Sequence, residues 1–148
     1  MQKIIAPILG NRVLVTSVGV WTVAQVLKVI IGLIKEGKLT LSYLFTMGKM
    51  PSSHAALVCA LATCIAVTDG LVSSNFALAA IFAAIVMYDA AGVRQAVSDN
   101  ATILNRMLDE LFEGNPDFEK HARELIGHTR LEVVAGGLLG IILALWWI

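Results

Sequence analysis

The ten residues from Gly48 to Leu57, GKMPSSHAAL, bring a lysine, a proline, two serines and a histidine together where a charged connection gives way to a long apolar run. Proline is tolerated at the first helical position because its missing N–H would go unpaired there, so Pro51 predicts a helix start with Ser52, Ser53 and His54 on its opening turn. The N–H groups of such a turn lie at the positive end of the helix dipole and suit an anion. Lys49 would add a fixed charge and His54 a titratable proton. The chemistry this predicts is phosphate binding, with His54 as a general acid; its alternative is a histidine satisfied by a neighbouring helix.

Two further polar segments carry residues of the same kind. In GHTRLE, Glu132 lies four residues beyond His128. A carboxylate that fixes an imidazole's tautomer is what a nucleophilic histidine needs, and the pairing would form if the helix began a turn before Thr129. The competing reading is a capping box, Thr129 at the N-cap and Glu132 three residues later. Both stay open at the level of sequence. In YDAAGVR, Asp89 precedes Arg94 by five residues, either as an interfacial ion pair or as a guanidinium fork for phosphate held in place by the carboxylate. Arg123 lies upstream of His128. Tyr88 and Asn105 are weaker candidates, and His121 reads as solvated. Nothing has convincing metal-ligand spacing, so neither a metal nor a cofactor is expected.

The elements that must position these groups are membrane helices. Of the 148 residues, 57% are hydrophobic and only 15% charged, where soluble domains carry about a quarter charged, and the mean hydropathy is +0.79. A formal net charge of zero with scattered basic residues gives no footprint for nucleic acid. The fold expected is all-α, an integral membrane bundle of about four transmembrane helices plus amphipathic surface helices, forming one domain over residues 1–148. A removable signal peptide is not expected, because Lys3 and Arg12 are followed by no small-residue cleavage site.

Along the chain, Pro7 and Gly10 are expected to break any early helix and leave an interfacial arm. Val13 to Ile34 is long enough to span, and its Thr16, Ser17, Thr22, Gln25 and Lys28 predict one side turned toward other helices. Lys28 itself is expected to snorkel to the interface rather than serve as a buried ligand. A second span runs from Ser52 to about Thr68 and stops at Asp69-Gly70, and a third begins near Asn75 and stays apolar to Met87, with Tyr88 and Asp89 arriving at its end. Val97, Ala101, Leu104, Leu108, Leu111 and Phe112 recur at helical spacing as an amphipathic helix ended by Gly114. Asp117 to Ile126 reads as a short surface helix. The last span, Leu131 to Ile148, has Gly136, Gly137 and Gly140 for close helix contact and Trp146 and Trp147 for the interface. Cys59 and Cys64, five apart on one helix, read as packing residues rather than a disulfide.

Four antiparallel spans bring the start of the second, the end of the third and the start of the fourth to one membrane face, where all three polar segments would meet. The loops on that face hold Lys35, Lys38, Lys49, Arg106, Lys120 and Arg123, against Lys3 and Arg12 on the other. The positive-inside rule therefore predicts a cytoplasmic site.

Through PSSH, YDAAGVR and GHTRLEVVAG the chain resembles the divergent branch of the type 2 phosphatidic acid phosphatase superfamily, over most of its length from about Lys28 onward. The resemblance implies a phosphatase acting on a membrane lipid phosphate without a cofactor, with Ser52, Ser53 and His54 matching a PSGH motif and His128 with Glu132 matching HxxxD. The departures are specific: Glu132 stands for Asp, Ala122 stands where the superfamily has Arg with Arg123 one place late, and Lys49-Met50-Pro51 replaces a longer Lys and Arg-Pro motif. Four spans against a six-helix core imply a reduced bundle or a homodimer. The rival expectations are a non-catalytic membrane protein that binds phospholipid headgroups or a partner, and a small transporter.

Overall fold

A computed structural model describes residues 2–37, 50–92, 100–107 and 129–148. Every regular element among them is helical: α1 Gln2–Gly10, α2 Arg12–Glu36, α3 Ser53–Asp69, α4 Ser74–Ala91, α5 over residues 100–107, and α6 Arg130–Trp147. Three of these, in α2, α4 and α6, are long and apolar enough to cross a membrane, and α3 is a shorter apolar helix of 17 residues. At 1.5 Å per residue α3 spans about 25 Å, slightly less than the hydrocarbon core. The chain is an all-α integral membrane bundle.

Local chemistry sets the helix ends. Asn11 caps α2 by accepting from Leu14 N at 3.0 Å, and Gly37 closes it in the left-handed region at φ 66°. Ser73 caps α4, its Oγ accepting from Phe76 N at 3.1 Å and donating to Gly70 O at 2.8 Å. One expectation fails here. The chain is helical through Pro7, because the first four N–H groups of a helix have no intrahelical partner and a proline just past them removes one bond only; Gly10 does end α1. Helix α4 runs to Ala91 and carries Tyr88 and Asp89 in its last turn, at the end of the span.

Helix α3 is the centre of the bundle and packs against α2, α4 and α6. It can do so because its buried positions are small: Ala55, Ala56, Cys59, Ala60 and Cys64 accompany Val58. Lipid tails are as apolar as leucine, so helices in a bilayer gain from close packing rather than from leaving water. The glycines of α6 supply that closeness. A Cβ on Gly136 would strike Ser52 O, and one on Gly140 would strike Ala56 O. Cys59 and Cys64 are free and buried on different sides of α3, Cys59 beside Met87 Sδ at 3.6 Å and Cys64 in the cluster with Val20, Ala24 and Ala144.

The helices alternate in direction. At one end of the bundle Arg12 Nη2 donates to Ile148 O at 2.8 Å, and the Trp147 ring covers Gly19. Asp69 accepts from Asn75 Nδ2 at 2.7 Å and Thr68 Oγ1 at 2.8 Å at the α3–α4 turn. These two hydrogen bonds hold its carboxyl below the usual range. The opposite end carries the polar segments.

Candidate functional site

At that rim the first turns of α3 and α6 are joined directly, Ser52 N donating to Glu132 O at 3.0 Å. The end of α4 closes against both, with Ala90 packed on Ala55 and Val133 and flanked by Met87 and Ala91. Ser52 to His54, Asp89 and Thr129 to Glu132 therefore occupy one end of the bundle, as the antiparallel count predicts.

The serines sit differently from expectation. Pro51 lies before the helix, Ser52 is the N-cap with its Oγ accepting from Ala55 N at 3.4 Å, and Ser53 is the first helical residue. Ser52 is 0% and Ser53 1% exposed, whereas His54 is exposed. Ser52 has spent its N–H on Glu132 and its hydroxyl oxygen on Ala55, so its observed part is to lock the two first turns together.

In α6 the capping box is present: Thr129 Oγ1 accepts from Glu132 N at 3.4 Å, and Thr129 N donates to Glu132 Oε2 at 3.0 Å. The helix starts at Arg130, with Thr129 extended, and not a turn earlier. One carboxylate oxygen therefore serves the cap, and His128, the other member of the expected pairing, lies outside the described residues. Asp89 is half-buried and Tyr88 is 78% exposed. Lys49, Arg94, Arg123, His121 and His128 lie outside the described residues, as do the short helix expected over 117–126 and half of the 97–112 amphipathic segment. Of the latter, α5 exposes Ile103, Leu104 and Met107.

Lys28 overturns its expectation. It does not snorkel: it is 3% exposed, and its Nζ donates to Ser53 Oγ at 3.1 Å. A charged side chain at the middle of a membrane helix costs on the order of 3 kcal/mol on insertion scales, so a buried one faces a partner or a pathway. The sequence did hold a signal. Ser17, Val20, Ala24 and Lys28 recur at three and four residues, and the first three are buried at 2%, 0% and 0% exposure. Lys28 continues the stripe that faces α3.

The arrangement offers helix first turns, a buried cation, an exposed imidazole and two carboxylates at one rim. A sequence model described as the Divergent PAP2 family matches residues 9–143. The chain belongs to this family. Its match takes in all three polar segments together with Lys28. A Bacillus subtilis (strain 168) protein named "Uncharacterized membrane protein YuiD" is 42% identical over 149 residues, covering 93% of this chain and 94% of that protein. No solved structure matches.

Proposed function

We propose that this Divergent PAP2 family member is a membrane phosphatase acting on a phospholipid phosphomonoester, with phosphatidylglycerol phosphate the first candidate and a prenyl diphosphate the second. The observation that carries the reading is the joining of the α3 and α6 first turns through Ser52 N and Glu132 O, with α4 closed against both. This junction brings to one rim the start of α3, which bears His54, the end of α4, which bears Asp89, and the start of α6, which His128 precedes in the sequence.

In the proposed reaction the His128 imidazole attacks phosphorus in line, forming a P–N bond as the P–O bond to the lipid breaks. His54 gives its proton to the departing alkoxide. Water, giving a proton to the now neutral His54, then attacks phosphorus, the P–N bond breaks, and inorganic phosphate leaves with both imidazoles in their starting states. Lys49, Arg94, Arg123 and the turn at Ser52 and Ser53 stabilise the equatorial oxygens, Asp89 holds Arg94, and Glu132 orients His128. The loop lysines and arginines favour a cytoplasmic site, and a homodimer would supply walls that four spans leave out.

The capping role of Glu132 favours one second reading, a family member that binds phospholipid headgroups without turnover, because a carboxylate engaged by Thr129 N is less available to an imidazole. Purified protein in lipid nanodiscs, offered a panel of lipid phosphates, is expected to release inorganic phosphate from at least one. Binding across the panel without release would favour the headgroup reading, and phosphate-independent solute flux in liposomes would favour transport.

A further inference from the structure

The reaction just proposed draws its cations from the connecting segments, yet the bundle holds one of its own. We infer that Lys28 is an additional phosphate-binding residue, reaching the substrate's oxygens from inside the bundle beside Ser53. The inference rests on the phosphatase reading and adds a fourth helix, α2, to the site.

Three observations carry it. First, the ammonium is buried at 3% exposure, turned into the bundle toward the start of α3 rather than out of it. Snorkelling would leave the charge solvated, and the fold takes the other course. Second, an ammonium has three donors, and among the described residues it makes one hydrogen bond, to the neutral Ser53 hydroxyl at 3.1 Å. A hydroxyl acceptor orients the group without neutralising it. Third, the Ser52 N to Glu132 O bond sets the first turn of α6 beside Ser53, and Glu132 Oε2 accepts from Thr129 N. The lysine is thus oriented at the α3–α6 junction with, among the described residues, two donors still in hand. A tetrahedral dianion at the rim supplies acceptors of the right charge. Ser53, the first residue of α3, holds the ammonium at that end of the bundle.

A purely architectural lysine would tie α2 to α3 and have no effect on phosphate affinity once the fold is kept. The test is therefore phosphate binding by the full-length protein in nanodiscs, read from the inorganic phosphate concentration that gives half-maximal thermal stabilisation and from product inhibition of lipid phosphate hydrolysis. Lys28→Met is expected to remain folded, to need at least tenfold more phosphate in both readouts, and to lose more than a hundredfold in kcat/KM. Lys28→Arg is expected to recover part of the phosphate affinity. If Lys28→Met alone does not fold, the double variant Lys28→Met/Ser53→Ala removes both members of the hydrogen bond and is expected to fold while remaining insensitive to phosphate. A folded Lys28→Met, or a folded double variant, with wild-type phosphate affinity overturns the inference and leaves the phosphatase reading standing. Wild type that neither binds phosphate nor releases it from any lipid overturns both.

Discussion

Replacement of His128 by alanine is expected to abolish phosphate release, lowering kcat by more than about 10³-fold, while the protein stays folded and binds inorganic phosphate within a few-fold of wild type. Loss of a covalent nucleophile removes the intermediate itself and leaves only the residual acceleration that binding groups provide. Position 128 precedes the α6 N-cap, so the capping box between Thr129 and Glu132 and the Ser52 N to Glu132 O bond have no need of its side chain. The cations of the proposed clamp are untouched as well, which is why binding should survive. Rapid acid-free quenching of wild type with a phosphate-labelled lipid should trap label on the protein, and the variant should trap none. Wild-type turnover by His128→Ala would remove the nucleophile from the scheme.

The second large effect is structural. Gly140→Val, and Gly136→Ala nearer the site, are expected to separate α3 from α6 and to destabilise the bundle by more than the roughly 1–3 kcal/mol typical of an overpacked core. The reason is the identity of the atoms met. A Cβ at Gly140 falls against Ala56 O and lies 3.0 Å from Ala56 C and Cα; one at Gly136 falls against Ser52 O and lies 3.0 Å from Ser52 C and N. These are backbone atoms in helical register, and no side-chain rotation relieves them. Gly136→Ala should cost activity beyond its cost in stability, because Ser52 is both the α3 cap and the donor to Glu132. Gly10→Ala is the matched control, since a Cβ there meets nothing within 4 Å. Thermal unfolding of the three variants in the same detergent should rank Gly10→Ala with wild type and the other two far below.

Much of this is legible in the sequence because helix ends are local chemistry. Ser52, Thr129 with Glu132, and the turn after Asp69 each announce a boundary through a side chain and a backbone group a few residues apart, and the observed ends of α3 and α6 fall within a residue of expectation. The Gly136–Gly140 spacing likewise shows a close helix contact without naming its partner. What the sequence concealed depends on neighbours far along the chain. The sequence places Tyr88 and Asp89 at the end of a span, and α4 does end two residues later, but only the structure shows that Ala90 packs there against Ala55 and Val133. Lys28 reads as an interfacial lysine because its acceptor, Ser53, is 25 residues away on another helix. Glu132 suits both capping and orienting a histidine, and the structure shows the capping bond.

Everything proposed for the site requires His54 and His128 to face one space at one rim. With Cys59 and Cys64 replaced by alanine, the pair H54C/H128C should be bridged within a single chain by a short bifunctional thiol reagent, and both positions should react with an impermeant thiol reagent from the same side of sealed vesicles. Failure of the bridge, with the two positions labelled from opposite sides of the membrane, would contradict the shared site.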